Sequence, residues 1–142
     1  MIPVFKDILS KNNGFYLDVG AYDGRAASNT YHLEKIQNWQ GVLIEPIMHL
    51  YLRSLEIRDP ERNIFFNCAL VSKTYKEKTV ELLYSGLMTI SYESRFLVEE
   101  WADLGSKFLG NGEVVTPFYS LARTLQSVLI ESNAPQELIF CQ

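Results

Sequence analysis

The sequence predicts an α/β domain built on a parallel sheet with flanking helices. Three observations carry this. Short apolar runs recur at "FYLDVGA", "GVLIEP" and "NIFFNCALV", as buried parallel strands do. Segments with helical apolar spacing lie between them. The order strand, helix, strand, helix, strand is that of a right-handed βαβαβ unit. A length of 142 residues, 47% of them hydrophobic and 21% charged, suits a single domain with a sizeable core.

Residues 1–13 read as an N-terminal segment. Within it, 2–11 form an amphipathic helix carrying Ile2, Phe5, Ile8 and Leu9, ended by Asn12, Asn13 and Gly14. Residues 14–71 are the βαβαβ unit. After the first strand, 27–38 read as a helix with Thr30, Leu33 and Ile36 on one side and Ser28 or Asn29 as its cap. Residues 39–41 read as a turn. The second strand closes at Pro46, and a helix over 48–58 follows, offering Leu50, Leu52 and Leu55 for packing. Pro60 stops it. The third strand spans 63–71.

The pattern then changes. Residues 72–117 read as a hairpin and an irregular insertion. "KTVELLY" extends the third strand as a hairpin, a short helix lies near 96–104, and "EVVTPF" is extended. Residues 118–142 read as a helix over 118–130, with Leu121, Leu125, Val128 and Leu129 inward, and then the start of a fourth strand, "ELIFCQ". A sheet ending there would present an open edge, so a partner completing the sheet, or self-association, is expected.

Composition narrows the function. The formal net charge is −4, from 13 Lys and Arg against 17 Asp and Glu, and the basic residues are scattered apart from Lys73, Lys76 and Lys78. That argues against nucleic acid as a partner. Cys68 and Cys141 have no Cys or His neighbour at metal-ligand spacing, so no metal is expected, and Cys68 reads as a small buried hydrophobe. No signal peptide is visible, and no run approaches the roughly 20 apolar residues that span a bilayer. A cytoplasmic chain without membrane contact is the expectation. His32, His49, Trp39 and Met88 read as surface or packing residues.

The informative stretch is "DVGAYDG". In open α/β sheets, ligands bind beyond the carboxyl ends of the strands. Gly20 and Gly24 allow tight turns there, but their spacing is not the G-x-G-x-x-G of dinucleotide sites. Asp18 and Asp23 would repel a pyrophosphate. They suit a ligand carrying positive charge, such as a sulfonium and an amino-acid ammonium. Glu45 ends the second strand, 21 residues after Gly24, where a carboxylate can accept from both hydroxyls of a ribose. Asn67 and the backbone around Cys68 and Ala69 fall where an adenine would be read. Against this stand plainer roles: a strand-end Asp often caps the next helix, Asp-Gly is a plain turn signal, and Tyr22 suits a pocket or the surface equally.

With these residues in view, "FYLDVGAYDGRAASNTYHLEKIQNWQGVLIEP" resembles the FkbM family of S-adenosylmethionine-dependent methyltransferases. The similarity continues through "NCALVS" and more weakly through "LMTIS" and "VVTPFYSLARTL". Its most specific part is D-V-G-A-x-D-G, S-N-T-Y-x-L-E and I-E-P at these spacings. The resemblance implies a Rossmann-like class I methyltransferase fold with S-adenosyl-L-methionine as cofactor. It implies that Asp18, Gly20, Ala21, Asp23 and Gly24 form the first cofactor motif, near the methionine part, that Glu45 holds the ribose, and that Asn67 and Ala69 lie near the adenine. Ser28 and Asn29 match the family motif without a derivable role. The acceptor it implies is a hydroxyl of a sugar or other small natural product. In that family the fourth strand runs into an acidic D-x-E-G segment. This chain ends at "LIFCQ", so the second half of the sheet is expected to be missing, and no catalytic residue is assigned. The alternatives are a non-catalytic module on the same fold and a nicotinamide-dependent oxidoreductase, the latter disfavoured by the glycine spacing and the aspartates.

Overall fold

The computed structural model describes residues 10–92, 98–137 and 139–141, the last three as backbone. The expected helix over 2–11 therefore lies outside the described residues, apart from its last two positions.

Four strands form an all-parallel sheet: β1 (Phe15–Val19), β2 (Gln40–Ile44), β3 (Asn63–Phe66) and β8 (Ile139–Cys141), in the order β3-β2-β1-β8. The chain therefore steps outward from β1 to β3 and returns to the other side of β1. Helices α1 (Tyr31–Gln37) and α2 (Met48–Ile57) make the connections within this first run. The period-two alternation of each strand divides the core into two faces. Leu17, Val42, Ile44 and Phe66 meet Cys68 and Val128 on one face. Tyr16 and Leu43 meet Ala21, Leu33 and Trp39 on the other. Burial on both faces explains why these strands are continuously apolar. Gly41 is required by close packing, because a Cβ there would overlap the ring and carbonyl oxygen of Tyr16.

A second, mixed sheet has the order β4-β7-β5-β6, from β4 (Ala69–Val71), β5 (Thr79–Tyr84), β6 (Ile90–Ser91) and β7 (Thr116–Thr124). Helix α3 (Val98–Ser106) covers part of it, with Ala102 against Leu83 and Ile90. Helix α4 (Leu125–Glu131) follows β7 directly.

The structure corrects the sequence reading at several points. The run 63–71 is two strands, in different sheets. Asn67 Nδ2 donates to the carbonyls of Glu45 and Pro46 at 2.8 and 3.1 Å, holding the chain to the end of β2 while it turns away. The strand β5 does not form a hairpin with that run. It pairs antiparallel with β6 and β7, whereas β4 pairs parallel with β7. Residues 118–124 are strand, not helix, because the ladders with β5 and then β4 take their backbone groups, and Leu121 lies exposed. The helix starts at Leu125, where Thr124 Oγ1 accepts from Ser127 N at 3.2 Å. Residues 40 and 41 belong to β2 rather than to a turn.

Helix α1 also starts later than 27. Ala27 has a left-handed φ of 56°, and Ser28 Oγ accepts from the backbone N–H groups of Thr30 and Tyr31. Ser28 thus does the capping expected of it, two residues ahead of the formal cap position, Thr30. Thr30 and Leu33 face inward, but Ile36 is exposed and Glu34 is buried in its place. In α2, Leu50 is buried and Leu52 is exposed. No helix among the described residues is long and apolar enough to cross a membrane.

Candidate functional site

A cavity of about 260 Å³ opens beyond the carboxyl ends of β1 and β2. The loop after β1 forms its floor. Gly20 and Ala21 both donate backbone N–H to Ile44 O, at 2.9 and 3.0 Å, which folds the loop over the end of β2. Gly20 has a φ of 75°, conformational ground that favours glycine, and a Cβ there would meet nothing within 4 Å. Tyr22 sits at a φ of 53°, uncommon for a bulky residue, and its N–H donates to Glu45 Oε2 at 2.8 Å.

Glu45 ties the site together. Its Oε1 accepts from Ile47 N at 2.9 Å, at the start of α2, where a carboxylate also complements the helix dipole. Each oxygen keeps a further lone pair for a ligand. The side chain is buried, and burial pushes its pKa up to about 7, against the pull of the Ile47 and Tyr22 N–H groups. Nearby Asp18 adds to the rise. Burial raises Asp18 as well, opposed by Thr30, Arg58 and Ser28. Its Oδ2 accepts from Thr30 Oγ1 at 2.5 Å and Ser28 Oγ at 3.3 Å.

The apolar part of the wall comes from Ile44, Ile47, Cys68 and Leu70, and from Leu82 and Leu87 of the second sheet region. Burial pushes the Cys68 thiol up to about 11, so it is a packing group rather than a nucleophile. Two carboxylates, Asp18 and Glu45, line the cavity, and among the described residues no Lys, Arg or His lines it. A phosphate would meet only repulsion from these side chains. A cation, or a ligand with several hydroxyl donors, would be matched.

Five of the eight residues expected from sequence line this cavity: Asp18, Gly20, Ala21, Glu45 and Ala69. Three do not. Asp23 forms a turn on its own loop, its Oδ1 accepting from Arg25 N and Ala26 N at 3.0 and 2.7 Å. Gly24 lies behind the loop, with φ 82° and its carbonyl accepting from Arg58 Nη1 at 3.0 Å. Asn67 is the strut described above. The contacts of Asp23 are those of the plain turn, and Asn67 is spent on the carbonyls of Glu45 and Pro46.

Sequence reasoning missed the support behind the cavity. Arg58, 2% exposed, donates through Nε to Glu34 Oε2 at 2.5 Å, through Nη2 to the Tyr16 hydroxyl at 2.5 Å, and through both Nη atoms to Thr30 Oγ1 at 3.1 Å. The Tyr16 hydroxyl in turn donates to Asn63 Oδ1, and Asn63 Nδ2 donates to Glu34 Oε2 at 2.7 Å. The signals were present but weak: Arg58 sits in a helix tail, where an arginine is usually solvated. His32 and His49 are exposed, and Trp39 is fully buried, its Nε1 donating to Lys11 O at 2.7 Å.

No family model, curated protein or solved structure matches the chain.

Proposed function

We propose that this cavity binds S-adenosyl-L-methionine on a Rossmann-like sheet, and that the chain is a methyltransferase acting on a hydroxyl of a sugar or other small acceptor. The observation that carries the reading is a nucleoside-scale cavity lined, among the described residues, by two buried carboxylates and no cationic side chain. The parallel order β3-β2-β1-β8 supports it. Counting parallel strands only, this is third, second, first, fourth, the opening order of doubly wound nucleotide-binding sheets. The crevice lies where the connection reverses around β1, as ligands of such sheets require.

In this reading Glu45 accepts from the ribose hydroxyls with the lone pairs its two backbone partners leave free. Asp18 faces the cationic methionine part, Gly20 lets the backbone approach, and Ala69 and Leu70 flank the base. The resemblance to FkbM methyltransferases names the same cofactor. The bound cofactor would supply an electrophilic methyl group for in-line transfer to an oxygen. The chain's own contribution is orientation and exclusion of water around the acceptor. We assign no base.

A second reading is a module that binds the nucleoside without transferring a methyl. It is supported by the hydrogen bonds that already occupy both cavity carboxylates, which leave each of them suited to holding rather than to proton transfer.

Calorimetric titration of the chain with S-adenosylmethionine and S-adenosylhomocysteine tests the cofactor. Saturable binding is expected, weakened about tenfold or more by Glu45→Ala through loss of charge-assisted hydrogen bonds. A folded chain that binds neither would refute the reading. Methyl transfer to a panel of polyols then separates the enzyme from the module.

A further inference from the structure

The Asp18 carboxylate is used on one side only. Thr30 Oγ1 at 2.5 Å, Ser28 Oγ at 3.3 Å and Arg58 Nη1 at 3.9 Å all approach Oδ2. Among the described residues no hydrogen bond reaches Oδ1, although Asp18 is only 4% exposed and lines the cavity. Thr30 is itself fixed. It is fully buried, and its hydroxyl oxygen accepts from both Arg58 Nη1 and Nη2 while its proton goes to Asp18. A hydroxyl that accepts twice from a guanidinium has one direction left in which to donate. Arg58 is locked in turn by Glu34, by Tyr16 and by the Gly24 carbonyl.

We infer that Thr30, oriented by Arg58, is the positioning residue that turns the Asp18 carboxylate so that Oδ1 is presented to the cationic group of a ligand in the cavity. The ligand part of this inference rests on the cofactor reading above, whereas the orientation of Asp18 is a property of the free protein. The relay joins Asp18 of β1, Thr30 just ahead of α1 and Arg58 just past α2, with Arg58 28 positions from Thr30. It gives the cavity a carboxylate of fixed direction, and restraining its rotation is what separates a binding group from a mobile surface charge.

The test uses the full chain in three forms: wild type, Thr30→Val and Thr30→Ser. Valine keeps the volume of threonine and removes the hydroxyl, and serine restores it. In the ligand-free protein, carbon-detected NMR follows the Asp18 carboxylate through a pH titration. Groups facing it are Arg58 and Glu45 together with the Ser28 and Thr30 hydroxyls. Thr30→Val is expected to move the Asp18 midpoint upward, since a donor to the charged form is lost, and Thr30→Ser to return it. An unchanged midpoint in folded Thr30→Val overturns the inference.

The second arm compares S-adenosylhomocysteine with adenosine, which lacks the amino-acid part. Thr30→Val is expected to lose about tenfold in affinity for the former and less than about twofold for the latter. Equal losses on both ligands would report general loosening and overturn the inference. A wild type that binds neither ligand overturns the cofactor reading, and the NMR arm still decides the orientation of Asp18. If Thr30→Val does not fold, Ser28→Ala, which removes the other hydroxyl donor, is read by the same two arms in the same directions.

Discussion

Two groups of buried acid stand back to back in this molecule, and they are built oppositely. Behind the loop after β1, Glu34 has a full set of partners: Arg58 Nε at 2.5 Å, Lys35 Nζ at 2.8 Å, Asn63 Nδ2 at 2.7 Å and Asp59 N at 3.1 Å. In front of the loop, Glu45 and Asp18 face a cavity that no cation lines among the described residues. Burial disfavours charge on Glu34, yet Lys35 and Arg58 outweigh it and hold its pKa down to about 2. Burial wins at Glu45, which rises to about 7. The same residue type, equally buried, is thus a finished structural member in one place and an unfinished electrostatic site in the other. A finished network has no use for a ligand. An unfinished one is stabilised by whatever supplies the missing charge.

The largest effect that would break this comparison comes from removing the cation of the finished network. Arg58→Met leaves Glu34 buried with only Lys35 as a cationic partner and frees the Tyr16 and Thr30 hydroxyls. A loss of about 3–5 kcal/mol in chemical denaturation is expected, the cost of stripping one member from a buried ion pair. Pairing it with Glu34→Leu is expected to recover a large part of that loss, because the uncompensated charge goes too.

Next in size is the pH dependence, where the two acids have opposite signs. The folded pKa of Glu45 lies above its ordinary value of 4.5, so its contribution is full below about pH 4.5 and is lost as pH rises towards about 7. The shift corresponds to about 3 kcal/mol at most. Glu34 is depressed below 4.5, so its contribution is full above that value and is lost as pH falls towards about 2. Melting curves across pH 3–8 are expected to show both losses, with Glu45→Gln flattening only the arm between about 4.5 and 7. A Glu45→Gln protein that keeps that arm would place its origin elsewhere.

The smallest effect sharpens the comparison. Lys35 touches Glu34 from the half-exposed surface of α1. Lys35→Ala is expected to cost no more than about 0.5 kcal/mol in the same denaturation experiment, since an exposed partner is screened by water. A cost near that of Arg58→Met would mean that Lys35, rather than Arg58, holds the acid.

The first and second halves of the chain differ in how far they could be read in advance. The strands β1, β2 and β3 and the helices between them follow from apolar runs bounded by glycine and proline. Asp18, Gly20 and Glu45 could be named because strand ends in parallel sheets project towards one crevice. Asp23 could not be separated from them, because a turn aspartate and a ligand-facing one read alike until the hydrogen bonds to Arg25 N and Ala26 N are seen. In the second half, Leu121, Leu125, Val128 and Leu129 sit at helical spacing over 118–130, yet 118–124 belong to the long strand β7. Pairing with β5 and β4 overrode the local pattern, as it commonly does for short segments.

By itself, then, the sequence determined the parallel core, the positions of its strand ends and the acidic character of the loop after β1. These depend on local apolar patterning and on residue chemistry, which neighbours in the chain express. Only the tertiary structure decided that 63–71 divides between two sheets, that Leu82, Gly86, Leu87 and Thr89 wall the cavity, and that Arg58 and Thr30 hold Asp18 in place. The last of these depends on contacts between residues 12 to 42 positions apart, and the first two on pairings more distant still. Such contacts are selected by the packing of whole elements, and they leave no periodicity along the chain.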